Sequence, residues 1–216
     1  MTKLEEGASR LGITLSLQQV DALNTYCSAV LKCNESYNLM KADNADELMV
    51  SHVLDSLAPY AELKKLIDER SQNGKIAVGD IGSGGGCPGI PLAVVFDDVQ
   101  FILVERMERR CDFLNDTIEK MHLTNVKVLC AQADKVPAES FDIEVFRAFH
   151  PFDKDIAKLL FRMLKKGGYI AAYKARSEKI IAEMEAVKNI IPVYKKIALT
   201  VPFLEDHERN LLIIQK

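Results

Sequence analysis

Cysteine is sparse and scattered in this 216-residue sequence: Cys27, Cys33, Cys87, Cys111 and Cys130 include no C-x-x-C pair and have no run of neighbouring histidines. That excludes the usual zinc-ligand spacings, so no metal is expected, and the odd, dispersed set predicts reduced thiols in a cytoplasmic protein. An apolar run of the ~18 residues needed to cross a bilayer is missing too. The start, Met1-Thr2-Lys3-Leu4-Glu5-Glu6, is too acidic for a signal peptide. Neither secretion nor a membrane anchor is expected. Excess positive charge is also absent: the formal net charge is -3 and the pI about 5.9, which does not by itself announce a polyanionic partner. Repeats and low-complexity segments are lacking, and with no heptad seam the expectation is a monomer.

What is present is a core-forming composition, 48% hydrophobic and 27% charged. Charge is unevenly spread: Pro151 to Lys196 holds eleven Lys/Arg against five Asp/Glu, leaving room for a basic face on the C-terminal half. Up to about Ile67 the apolar spacing is helical. Ser16 and Gln19 read as a capping box ahead of a stripe of Val20, Leu23, Cys27, Val30 and Leu31, and Leu48, Val53 and Leu57 form a second stripe. The polar stretch from Asp68 to Gly74 is the candidate linker, dividing an N-terminal helical cap (1–70) from a second domain (75–216). There, short apolar runs alternate with helical stripes, the pattern of βαβ units and a mostly parallel sheet. Strands are expected at Lys75–Ile81, Gln100–Glu105, Val126–Cys130, Phe141–Phe146 and Tyr169–Tyr173, with Gly167-Gly168 closing the helix before the last of these. The tail, 193–201 and 210–215, reads as an added antiparallel pair.

The segment Asp80-Ile-Gly82-Ser83-Gly84-Gly85-Gly86-Cys87-Pro88-Gly89 follows the first strand and leads into a helix. Glycines there let the backbone turn and approach a nucleotide-like cofactor; alone, the spacing is a weak signal. Two carboxylates sharpen it. Asp80 puts negative charge beside the loop, unfavourable for a diphosphate and favourable for the ammonium of a methionine moiety, and Glu105 ends the second strand where an acid can accept from both ribose hydroxyls. Ala133 and Asp134, after the third strand, fall where an adenine would lie, although Asp134 reads equally well as a turn cap. Cationic S-adenosylmethionine suits this set better than NAD, for which no hydride-transfer constellation is evident.

The markers of several other methyl transfers are missing: there is no Asn/Asp-Pro-Pro-Tyr segment, and Arg147-Ala148-Phe149-His150 follows the fourth strand where a Pro-Cys would serve pyrimidine carbon attack. Nitrogen seven of a neutral guanine carries a free lone pair and needs no general base, so positioning and electrostatics suffice. Arg147 is a candidate to contact the methionine carboxylate or an RNA phosphate, Lys174 lies on the same carboxyl edge of the sheet, and the alternative is that both are rim charges. His52 and Asp55 lie on one helical face, as a buried pair or as substrate contacts, and Cys87, with no activating neighbour in sequence, reads as packing.

Together, Tyr37-Asn38-Leu39, Met49-Val-Ser-His52-Val-Leu-Asp55-Ser56-Leu57, the loop running into Pro88-Gly89-Ile90-Pro91-Leu92, Arg110-x-x-Phe113-Leu114, Phe141-Asp142 and Arg147-Ala148 resemble the glucose-inhibited division protein B family over nearly the whole chain. The resemblance implies an α/β, Rossmann-like class I methyltransferase fold, a mostly parallel seven-stranded sheet with an antiparallel C-terminal pair plus an N-terminal helical cap. It also implies methylation of ring nitrogen seven of a guanine in 16S ribosomal RNA, with the small ribosomal subunit as partner. By position, Gly82, Gly84 and Pro88 would hold the cofactor, Glu105 would take the ribose acid's place, Ala133 and Asp134 would border the adenine, Arg147 would be the site arginine and Lys174 the lysine after the fifth strand; Asp80, Ser83, Gly86 and Arg147 are further candidate cofactor contacts, and Arg147, Lys174 and His52 the candidate catalytic residues. The chain departs from the family pattern at Ser51, Gln132, Ala175 and Asn210, on the side expected to face RNA. The alternative is a non-catalytic ribosome- or RNA-binding protein that keeps the fold.

Overall fold

The structure, a computed structural model, describes residues 2–72 and 74–216. Reciprocal bonds between Thr2 and Glu5 open α1 (Lys3–Arg10), and the Ser16–Gln19 box opens α2 (Leu17–Asn34), as its spacing predicts. Helix α2 buries Leu23, Tyr26, Cys27 and Val30. Asn44 caps α3 (Ala45–Leu48), which continues through a π-helical segment, Met49–Leu54, into α4 (Asp55–Leu57). Pro59 interrupts the path, and α5 (Tyr60–Ser71) follows. The polar stretch read as a linker is therefore helical through Ser71; Asn73 lies outside the described residues. Polarity there has a structural use, because Arg70 reaches Asp142 at 3.0 Å and the Gly167 carbonyl at 3.2 Å.

The remaining elements are β1 (Ala77–Ile81), α6 (Gly89–Val95), β2 (Gln100–Glu105), α7 (Glu108–Lys120), β3 (Val126–Cys130), β4 (Phe141–Arg147), α8 (Lys154–Met163), β5 (Leu164–Lys174), α9 (Ser177–Val187), β6 (Lys195–Leu199) and β7 (Arg209–Gln215). They form a seven-stranded sheet in the order β3-β2-β1-β4-β5-β7-β6. The first five strands pair in parallel, and β7 runs antiparallel between β5 and β6. This is the Rossmann-like class I methyltransferase arrangement. Apolar side chains of α2, α5 and α6 fill one face of the sheet, and those of α8 and α9 fill the other. Strand order reverses between β1 and β4, so a crevice opens at their carboxyl ends, the position where open α/β sheets take ligands.

Two expectations are corrected. Gly167 and Gly168 do not cap a helix: α8 ends at Met163, and Gly167, at φ 73°, sits within β5 at a register shift opposite Phe141 and Ile143. The thiols are not all free either, because Cys111 on α7 and Cys130 at the end of β3 form a disulfide across a Cα separation of 5.8 Å. Parallel pairing brings them together: Glu105 faces Cys130 in register, and α7 turns back directly after Glu105.

Candidate active site

Asp80, at the end of β1, is fully buried beneath the glycine loop. Its Oδ2 accepts from the Ser83 hydroxyl at 2.8 Å and the Gly89 amide at 2.9 Å, while Oδ1 has no partner among the described residues. Burial pushes its carboxyl up to about 6 against the lowering effect of Ser83 and Gly89. It lines neither large cavity, so it shapes the loop from behind, and any pull on a cation acts through the loop. Pro88 caps α6, and Gly86 packs against Ile90 and Leu114; both hold the loop's far side.

Glu105 ends β2 with three backbone amides on its carboxylate: Oε2 takes the Gly84 amide at 2.9 Å and keeps a lone pair for a further donor, and Oε1 takes the Arg106 and Met107 amides, each at 2.9 Å. The loop is thereby fastened to the carboxylate. Two cavities adjoin it. One, of about 480 Å³, is bordered by Glu105, Arg110, Ala133, Asp134 and Ile156. The other, of about 810 Å³, is bordered by Ser83, Gly84, His52, Arg147 and Lys174. Both touch Gly82 and the segment Ala148-Phe149-His150.

The cradle fits S-adenosylmethionine. Gly84, at φ 59°, opens on free space, where an added Cβ would meet only the Gly82 carbonyl, at 3.9 Å. Gly82, at φ 72°, lies under the Phe149 ring, and this aromatic residue borders both cavities. Among the described residues no cluster of His, Cys, Asp and Glu is arranged to hold a metal.

Arg147, at the end of β4, ties the helical cap to the sheet. Its guanidinium reaches Asp55 Oδ2 at 2.7 Å, the Ser51 carbonyl at 3.1 Å and His52 Nδ1 at 2.8 Å. Because arginine only donates, Nδ1 accepts and the ring proton sits on Nε2, which donates to the Lys41 carbonyl at 2.9 Å. Burial and the neighbouring Arg147 cation hold His52 below its ordinary range, in agreement with a neutral ring. The π-helical segment matters here: it carries both Ser51 and His52 toward Arg147. Asp55 Oδ1 accepts from Arg209 at 2.8 Å. Lys174 pairs with Glu183 at 2.5 Å and lies over the Phe152 ring. Cys87 stays a packing residue: burial pushes its thiol up, and it lies 3.1 Å from the Tyr26 hydroxyl.

The structure thus gathers the residues expected from sequence around one crevice, Asp80, Gly86 and Pro88 from beneath. Arg209 and Glu183 are additions. Arg209 opens a strand that runs antiparallel, and this brings its start to the carboxyl edge; Glu183 lies on α9 among other charges, with no motif to single it out. Three of the departures from the family pattern, Ser51, Ala175 and Asn210, border the larger cavity, and Gln132 borders the smaller. Two of them are in contact: the Asn210 side-chain amide donates to the Ala175 backbone carbonyl at 2.7 Å.

The sequence model of the GidB family, described as rRNA small subunit methyltransferase G, matches residues 19–212. The chain belongs to the GidB family. As a GidB member it is an S-adenosylmethionine-dependent methyltransferase of ribosomal RNA. It is 38% identical to the ribosomal RNA small subunit methyltransferase G of Treponema denticola over 217 residues, covering 90% of this chain and 85% of that protein. With the Klebsiella pneumoniae protein of the same name it shares 31% identity over 218 residues, 100% of this chain and 98% of the other. Among solved structures, the tRNA (m1A58) methyltransferase TrmI of Aquifex aeolicus superposes with a TM-score of 0.55 at 16% identity, over 73% of this chain and 68% of that one. A SAM-dependent methyltransferase from Aquifex aeolicus gives 0.54 at 15% identity, over 87% and 97%. At those identities the GidB chain shares their fold, and nothing more is drawn from them.

Proposed function

We propose that this chain transfers a methyl group from S-adenosylmethionine to ring nitrogen seven of a guanine in 16S ribosomal RNA, presented by the small ribosomal subunit. The observation that carries this reading is the pair of cavities meeting over Gly82, one bordered by Glu105 and Asp134 and the other by Arg147 and Lys174. When bound, S-adenosylmethionine supplies an electrophilic methyl on a cationic sulfur. Glu105 would orient the ribose, Ala133 and Asp134 would border the adenine, and the Gly82–Gly84 backbone would lie against the methionine arm.

The acceptor chemistry agrees with the state of the nearby bases. His52 has its lone pair engaged by Arg147, and both oxygens of Asp55 are engaged by arginines. Neither removes a proton, and attack by a guanine ring nitrogen needs no proton removed first. His52 and Asp55 instead orient Arg147, whose positive charge faces the cavity where the acceptor enters. The helical cap and the basic 151–196 stretch supply the RNA contacts, shape and phosphate together. We propose that the chain acts as a monomer in the cytoplasm. No described helix is long and apolar enough to cross a membrane.

The deciding experiment is tritiated methyl transfer to unmodified small-subunit particles, followed by nucleoside analysis. Label is expected in 7-methylguanosine. Firm cofactor binding with no label incorporated would favour the non-catalytic binding protein. A second expectation concerns the cofactor alone. Glu105→Ala removes the ribose acceptor and also unfastens the Gly84 amide, so affinity for S-adenosylmethionine falls by roughly 1.5–3 kcal/mol in calorimetry, the cost of lost hydrogen bonds to a charged acceptor. Unchanged affinity would take Glu105 out of the ribose site.

A further inference from the structure

The larger cavity is bordered by two carboxylates, Asp55 and Glu183, and they are in different states. Asp55 is used up, one oxygen on Arg147 and the other on Arg209. Glu183 is half used. Its Oε2 accepts from Lys174 at 2.5 Å and from the Phe152 backbone amide at 3.1 Å, while Oε1 makes no hydrogen bond to any described residue. Its side chain is 18% exposed and borders the cavity, with Oε1 left without a protein donor. Lys174, at 13%, is held against the same oxygen and above the Phe152 ring, which leaves the ammonium with donor capacity beside the free Oε1.

An acceptor beside a donor is the complement of one edge of guanine. That edge carries two donors, the N1 hydrogen and the exocyclic N2 amine, followed by the O6 acceptor. The one free carboxylate oxygen, Oε1, has two lone pairs for the first two, and the ammonium takes the third. Adenine presents a bare N1 acceptor at the corresponding place, which a carboxylate repels. The edge read this way excludes nitrogen seven, whose lone pair must stay free to attack.

We propose that Glu183, with Lys174 beside it, is the guanine-reading residue of this enzyme, holding the N1 and N2 hydrogens while nitrogen seven points toward the glycine loop. The inference rests on the function proposed above and adds the residue that selects the base. The pair and the cap border the cavity from different elements: Lys174 ends β5 and Glu183 lies on α9, whereas His52 and Asp55 come from the cap. A base entering the cavity has one edge fixed before its ring nitrogen meets the methyl group.

The test uses the full-length enzyme, unmodified small-subunit particles and S-adenosylmethionine, with Glu183→Gln and the double variant Lys174→Met with Glu183→Met. In Glu183→Gln, kcat/KM for the particles is expected to fall about 10–100-fold, the range for losing hydrogen bonds to a charged acceptor, with cofactor affinity retained. Removing only the carboxylate charge leaves a largely buried ammonium, so this variant also risks lower stability. The double variant separates the two effects. Deleting both charges restores the melting temperature if the pair is an ordinary ion pair, yet methyl transfer stays depressed if the pair reads the base. A double variant that melts like the wild type and methylates within about threefold of it would overturn the assignment. Absence of 7-methylguanosine from wild-type reactions would instead bring down the function on which it rests.

Discussion

Arg147→Ala is expected to lower kcat/KM for methyl transfer to small-subunit particles by about 10²–10³-fold, the scale seen when a preorganised donor is removed from an active site. The residue has three partners on one helical segment, the Ser51 carbonyl, His52 and Asp55, so its loss both removes a cation from the cavity wall and breaks one of the ties between the cap and β4, leaving that of Arg70 to Asp142. Asp55 would keep Arg209 as its only charged partner. Removing one member of a buried charged set costs about 2–5 kcal/mol in comparable pairs, and part of that cost should appear as a lower melting temperature. Arg147→Lys separates the contributions, since an ammonium is a point charge and cannot serve three acceptors spread around a planar fork. It should retain more stability than the alanine variant while still losing most of the turnover. Steady-state kinetics on particles alongside thermal melts would check this, and a Lys variant as active as the wild type would reduce Arg147 to a mere positive charge.

The parts of this architecture written most clearly in the sequence are those governed by short-range rules. Ser16 and Gln19 open α2 because a hydroxyl and an amide three residues apart satisfy each other's backbone partners, and β2 and β3 occupy the residues that their apolar runs mark out. The glycine loop is legible for the same reason, as backbone conformation depends on the residue itself. What resisted reading depends on pairing at a distance. Cys111 and Cys130 are 19 residues apart, and only the parallel register of β2 with β3 brings them together. Gly167 resembles a helix cap, but its positive φ is used for a register shift inside β5 instead. Asp80 reads as a pocket carboxylate from its place at a strand end, whereas the Gly89 amide and the Ser83 hydroxyl draw it beneath the loop. Arg209 became a site residue only through antiparallel pairing, which sets Asn210 against Lys174.

Glu144 carries the other large expectation, and it concerns stability. It lies on β4 beside Gly79 and Ile170, fully buried, with neither carboxyl oxygen bonded to any described residue. Burial pushes its carboxyl well above the usual range, outweighing the distant Lys216 and Arg162. The folded chain therefore holds this proton more tightly than the unfolded chain does. Its contribution is fully present below the ordinary glutamate range and is lost as pH rises, at up to about 1.4 kcal/mol per pH unit, until the folded-state group itself ionises. Glu144→Leu removes the titration and replaces an unsatisfied carboxyl with an apolar side chain among Phe146, Ile170 and Ala172, neighbours already packed as core. Denaturant unfolding should find this variant more stable than the wild type at pH 8 by about 1–4 kcal/mol, with a smaller gap at pH 5. Glu144→Gln should flatten the same pH slope with less gain, because an amide left without partners still pays for its burial. Equal slopes in all three proteins would mean that the carboxyl finds a partner or water in solution, and the unfolding gap between pH 5 and pH 8 would then have to come from other groups.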